Sequence, residues 1–235
     1  SLENIIIPDS VTFIGNYSFE DCTSLKSIVI PDSVTRIGAS AFSNCTSLAS
    51  VTLSKSLESM GSRAFAYCTA LTSVDIPKSL DRVTVDGSTY LSNCGAFFKC
   101  SNLNNVTFEE GTAEIAEKLF VGCDGLTEIT IPDTVTVIEN AAFYLCSNLE
   151  KIIIPDSVTE IDGFAFNSCT SLENIIIPDS VTFIRNYSFE DCSALKSVEF
   201  KNPNTKIGER VFSNCSSLAS VKLPENLTSI PEYTF

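Results

Sequence analysis

The sequence predicts a solenoid, one domain over residues 1–235 in which ten coils of 23 residues stack along a single axis. Three observations predict it. Leu recurs at Leu2, Leu25, Leu48, Leu71, Leu103, Leu126, Leu149, Leu172, Leu195 and Leu218, every step being 23 residues except the 32 between Leu71 and Leu103. β-Branched residues alternate with polar ones just after each Leu, and a Phe and a Cys recur near the end of the unit. The segment Ser1–Cys22 returns as Ser171–Cys192 with only Gly15 replaced, by Arg185, which reads as a duplication inside the array.

The elements follow in order along the unit. Ile5, Ile28, Val51, Val74, Val106, Ile129, Ile152, Ile175, Val198 and Val221 form one apolar column, and Ile7, Ile30, Leu53, Ile76, Phe108, Ile131, Ile154, Ile177, Phe200 and Leu223 form a second. Apolar residues two apart mark a short strand with one buried face. Pro ends it in most repeats, and the Asp-Ser that follows suits a turn. A second apolar pair, as in Val34 and Ile37 or Val158 and Ile161, marks a second short strand or extended turn.

Phe19, Phe42, Phe65, Phe97, Phe120, Phe143, Phe166, Phe189, Phe212 and Phe235 are read as a ring stack inside the coil. A single coil buries too little apolar surface to offset the entropy of ordering its backbone, so neighbours must share faces. Ten strands stacked at ~4.8 Å would present a face ~43 Å long. The extra residues of the long step place an insertion near 84–94.

Nine of the ten cysteines share a column: Cys22, Cys45, Cys68, Cys100, Cys123, Cys146, Cys169, Cys192 and Cys215. Disulfides between neighbours, zinc and buried thiols compete as readings. Nine members cannot all pair, and a ladder of parallel side chains does not converge on a metal. Buried thiols facing turn carbonyls are preferred. Cys94, in the insertion, falls outside the column and is expected to be exposed, either as a reactive thiol or bonded to Cys100.

Composition excludes several functions. Hydrophobic residues make up 44% of the chain, enough for a sizeable core, and no apolar run approaches a membrane span. The net charge is −14 and no Lys/Arg cluster occurs, which disfavours nucleic acid and anionic membranes. No His or Trp is present, which removes Ser-His-Asp and Cys-His catalysis. The recurrent acids Asp9, Asp32, Asp133, Asp156 and Asp179 are read as turn residues, and Lys55 and Lys78 interrupt that column against a calcium ladder. No catalytic residue, cofactor or metal is therefore expected. Sequons at Asn16, Asn44, Asn105, Asn186, Asn214 and Asn226 follow from the Asn/Ser/Thr bias of the repeat. No signal peptide is visible; the chain lacks a starting Met and begins and ends inside the repeat, so a longer parent protein is expected.

Candidate partner-binding residues lie on the outward strand column, where Ile6, Val29, Ile153 and Ile176 are expected to be exposed, the last two as an apolar pair. Phe13 and Phe183 also point outward, and aromatics are enriched in binding hot spots. The insertion adds Tyr90 and a turn-forming Asp86-Gly87; it is either a binding loop or an inert bulge.

The units "LKSIVIPDSVTRIGASAFSNCTS" (Leu25 to Ser47) and "LEKIIIPDSVTEIDGFAFNSCTS" (Leu149 to Ser171) resemble the BspA-type leucine-rich repeats. The resemblance implies a leucine-rich-repeat solenoid, α/β in class but β-dominated, right-handed, with its parallel sheet on the concave side. It implies a secreted or surface-attached microbial protein that adheres to host, matrix or microbial proteins, and it carries no catalytic residue set. The expected function is a non-enzymatic protein-binding or adhesion module; a structural spacer or self-associating stalk and a carbohydrate-binding surface are the alternatives. Departures from the unit at Ser54-Lys55, Glu109-Glu110 and residues 201–205 leave the turns there open.

Overall fold

A computed structural model of the chain describes residues 2–84 and 94–235. The strands alternate along the chain between short and longer ones. The first half holds β1 (Phe13–Ile14), β2 (Ser27–Val29), β3 (Arg36–Ile37), β4 (Ser50–Thr52), β5 (Ser59–Gly61), β6 (Ser73–Ile76), β7 (Arg82–Thr84) and β8 (Asn105–Phe108). The second holds β9 (Glu114–Ile115), β10 (Glu128–Thr130), β11 (Val137–Ile138), β12 (Lys151–Ile153), β13 (Glu160–Ile161), β14 (Asn174–Ile177), β15 (Phe183–Ile184), β16 (Ser197–Phe200) and β17 (Lys206–Ile207). Even-numbered strands line one face and odd-numbered strands another, and all pairings are parallel between successive coils.

This is the predicted solenoid, with three differences. The ten sequence repeats yield strands on the even face only from the second coil to the ninth; Ile5–Ile7 is not a strand, and Lys222 makes an isolated bridge to Glu199. The even face is also not one sheet but four two-stranded ladders, β2–β4, β6–β8, β10–β12 and β14–β16. Odd strands instead join into sheets of four, β1-β3-β5-β7, and five, β17-β15-β13-β11-β9.

The third difference concerns class. No helix occurs among the described residues, so the α/β label is corrected to an all-β solenoid. The cause is local. Around most of the recurring Phe residues the chain turns twice through left-handed backbone, at Tyr17, Ser40, Arg63, Lys118, Ala141, Phe164, Tyr187, Arg210 and Tyr233, and again at Asp21, Asn44, Tyr67, Lys99, Gly122, Leu145, Ser168, Asp191 and Asn214. Left-handed residues placed this closely break a right-handed helix. Their amides are used between coils: Tyr17 N–H donates to the Ala39 carbonyl at 2.9 Å and Asp21 N–H to that of Ser43 at 2.9 Å.

The core matches the columns read from the sequence. Ile28, Ile30, Val34 and Ile37 are buried, as are most of their equivalents in the inner coils, while Val51, Val106, Phe108 and Phe200 are partly buried against the same core. The Phe rings stack from Phe19 to Phe235 with centroids 5.0–6.1 Å apart and planes within 4–20°. Phe108 and Phe200 meet this stack edge-on, at Phe120 and Phe212. The Pro turn is closed by an N–H three residues on, as in Val34 to Pro31 at 2.9 Å. Repeats without Pro keep it: Leu57 N–H donates to Ser54 and Thr112 N–H to Glu109. In the ninth repeat the turn moves by one residue, to Asn202–Thr205.

The cysteine column is one of buried thiols, each donating to the carbonyl of the Phe in the preceding coil. Cys45 meets Phe19 O at 3.2 Å, Cys100 meets Phe65 O at 3.0 Å, and Cys68, Cys123, Cys146, Cys169, Cys192 and Cys215 repeat the contact. The preferred reading therefore holds for these eight (Cys45, Cys68, Cys100, Cys123, Cys146, Cys169, Cys192, Cys215). Burial pushes the Cys45 and Cys215 thiols up to about 12 and raises those of Cys123, Cys146, Cys169 and Cys192 as well. Cys94 corrects an expectation: it is buried, its thiol is raised by desolvation, and Cys100 donates to Phe65 instead of bonding to it. Cys22, half-exposed in the first coil, is then the thiol that a maleimide labels first at neutral pH. Peptide mapping after brief labelling checks this; modification spread evenly over the column would contradict it.

Residues 85–93 fall outside the described residues, yet the coils on either side stay in register. Val74 pairs with Val106 across the long step, and Phe65 stacks on Phe97 at 5.4 Å. Removing the nine residues 85–93 restores the 23-residue spacing from Leu71 to Leu103. That deletion is expected to leave the circular-dichroism spectrum unchanged and to shift the melting temperature little, since the Val74–Val106 pairing and the Phe65–Phe97 stack join the coils on either side. A melting temperature many degrees lower would show the segment to be part of the packing.

Candidate interaction face

Outward side chains of the even face come from the residue between the two buried strand positions, because strand side chains alternate. There the structure places Ile6, Val29, Ile153 and Ile176, exposed by 91%, 63%, 67% and 54%. Ile153 and Ile176 line the same open groove of ≈ 1000 Å³, together with Glu150, Lys151, Asp156 and Pro178. Ile6 and Val29 line a second groove of ≈ 740 Å³, bordered by Asp9, Pro31 and Asp32. The expected apolar pair is thus found, and it has a counterpart at the other end of the face.

Between these grooves the same column is polar. Thr52, Asp75, Thr107 and Thr130 occupy it, and Thr107 Oγ1 donates to Asp75. Flanking cations are tied to acids of the preceding coil, Lys26 to Glu3 at 2.8 Å and Lys196 to Glu173 at 2.6 Å, or of their own, Lys201 to Glu199 at 2.5 Å. These pairs are exposed, and such pairs contribute about 1 kcal/mol or less.

Phe13 and Phe183 do not join this face. They sit on β1 and β15, on the odd face, where Arg36 lies 5.2 Å from the Phe13 ring and Arg185 5.1 Å from that of Phe183. Both point outward as read, beside the buried Ile14 and Ile184, but Phe183 is only partly exposed, with the Arg185 of the second copy over its ring. Arg185 also pairs with Glu160 and lies 3.4 Å from Asp162. Nearby, burial and then the carboxylates of Glu114, Asp162, Glu117 and Glu160 raise the Glu139 carboxyl above its usual range. Asp86 and Tyr90 lie outside the described residues.

Sequence reasoning missed two features near these sites. The turn acids Asp9, Asp32 and Asp156 border the grooves, although they were read as turn formers alone. A second aromatic row also exists, with Phe164 stacked on Tyr187 at 4.6 Å and Arg210 between Tyr187 and Tyr233 at 5.9 and 4.3 Å. Its signal was available, since Tyr17, Phe164, Tyr187 and Tyr233 share one repeat position, but that position looked variable. Among the described residues no three His, Cys, Asp or Glu side chains are grouped to hold a metal, and no helix is long and apolar enough to cross a membrane.

Comparison with known proteins places this geometry. The profile of the BspA type Leucine rich repeat region matches in six copies, over residues 1–95, 83–196 and 136–235. None of the curated proteins compared matches the chain. Among solved structures, a leucine-rich repeat protein from Bacteroides ovatus is 31% identical, with a TM-score of 0.63 over 90% of this chain and 58% of its own. A leucine rich cell surface protein from Faecalibacterium prausnitzii is 32% identical, with a TM-score of 0.56 over 96% of this chain and 68% of its own. The chain therefore spans little more than half the length of the first of these.

Proposed function

The chain belongs to the BspA-type leucine-rich repeat family, and from that premise we propose that it is a non-enzymatic adhesion module that binds proteins at a microbial cell surface. The observation that carries the reading is the even face of the solenoid, where Ile153 and Ile176 stand exposed over an open groove in a chain that has no His. A contiguous exposed apolar patch rimmed by polar residues is one mark of a protein-binding surface. The groove is open and shallow, and a surface of this kind works by offering area. The likeness to a cell surface protein supports the location.

The test is binding of the full chain, immobilised by one terminus, to extracellular-matrix proteins and to intact host cells. Saturable binding that Ile153→Asp with Ile176→Asp weakens is the expected result. Absence of saturable binding to any of them would overturn the adhesion reading.

A further inference from the structure

We propose that the even face carries two equivalent anchor sites for an extended protein segment that joins an apolar side chain to a Lys or Arg, one at Ile6 and Val29 and the other at Ile153 and Ile176. This rests on the protein-binding reading and goes beyond it in number of sites and in partner chemistry.

The argument is the coincidence of two columns. In the first, second, seventh and eighth coils the outward strand residue is Ile or Val, and the exposed residue three positions on is Asp: Ile6 with Asp9, Val29 with Asp32, Ile153 with Asp156, Ile176 with Asp179. Among the described residues none of these four carboxylates is in an ion pair; Asp32 accepts only the Lys55 backbone N–H, at 2.9 Å. The third and fourth coils reverse both properties, with Thr52 and Asp75 in the strand column and Lys55 and Lys78 at the turn. A segment carrying an apolar side chain and a cation is accepted at either end and finds no apolar contact, and like charge, in these coils.

Both sites are apolar-floored and acidic at the same edge. Among the described residues Lys151 is the one cation on the wall of the Ile153 and Ile176 groove outside an ion pair, and it lies across the ladder from Glu128. The net charge of −14 favours a cationic partner over the length of the molecule. Six coil steps of ~4.8 Å separate the sites by about 29 Å, so one extended segment fills one site and the two bind independently.

Short random peptides are selected by display against the full chain, and the enriched peptide is titrated by calorimetry into four proteins. These are the unaltered chain, the pair Ile6→Asp with Val29→Asp, the pair Ile153→Asp with Ile176→Asp, and all four together. All four side chains are exposed, and circular dichroism verifies that each variant is folded. Enriched peptides are expected to join an apolar residue to Lys or Arg, and to bind with stoichiometries of two, one, one and none, weakening as salt rises. Selection of acidic or purely apolar peptides, a single site on the unaltered chain, or binding that survives all four changes would overturn the proposal. So would failure of any peptide to enrich, or loss of a self-associated form on mutation, which would assign the grooves to a second copy. Matrix binding that persists in the four-fold variant would retain the adhesion reading while refuting the two sites.

Discussion

Phe143→Ala is expected to lower stability by about 3–5 kcal/mol, the usual cost of emptying a buried Phe position. Phe143 is fully buried and has a ring on each side, Phe120 at 5.6 Å and Phe166 at 5.4 Å with planes 4° apart. Its carbonyl also accepts the Cys169 thiol at 3.3 Å, so a shift of its backbone is felt in the next coil. The gap lies mid-stack, where each coil depends on nearest neighbours, and the unfolding transition should broaden or split as the two halves uncouple. Phe235→Ala is the control: that ring is 56% exposed and stacks on one side only, on Phe212 at 6.1 Å. Denaturant titration of both variants decides the matter. Equal losses would mean that the ring stack is not what couples the coils.

Gly61→Ala should cost about 3 kcal/mol, for a reason absent from any hydrophobic pattern. A Cβ there would stand 2.2 Å from the Ala39 backbone nitrogen and 2.5 Å from the Gly38 carbonyl carbon. Backbone is met, not the tip of a flexible side chain, so the coil must shift. Gly38 and Gly208 stand equally close to the preceding coil, where Asn16 Oδ1 and Asn186 Oδ1 lie 2.4 and 2.2 Å from the Cβ position. Those oxygens are fixed by the N–H groups of Ala39 at 2.8 Å and Glu209 at 3.0 Å. Gly15 is the contrasting case, since a Cβ meets only Ser18 Oγ at 3.1 Å. Gly15→Ala is therefore expected to be close to neutral, and the duplicated copy carries Arg at this place, Arg185. Thermal melts of both variants test the contrast; a Gly61→Ala protein as stable as the Gly15→Ala protein would refute the close approach.

Much of the candidate site could be read before folding was considered. The column they share with Thr52, Asp75, Thr107 and Thr130 places Ile153 and Ile176 outward and their neighbours Ile152, Ile154, Ile175 and Ile177 inward, as the structure has them. The Asp residues beside the grooves were visible too, but nothing in a turn's composition says which face its side chain borders.

By itself the sequence determined the solenoid, its 23-residue step, the Phe stack and the thiol column. A side chain that recurs at a fixed period must recur at one place in a stacked coil, and only a shared interior can bury it. Tertiary structure alone decided how the coil turns its corners. Left-handed residues as varied as Tyr17, Lys99 and Leu145 carry no compositional mark, because the hydrogen bond to the next coil holds them there. It also decided that Phe13 and Phe183 stand on a different face from Ile6 and Ile176. The angle between two strands of a coil is set by the turn between them, and that turn exists only once neighbouring coils have closed their hydrogen bonds across it.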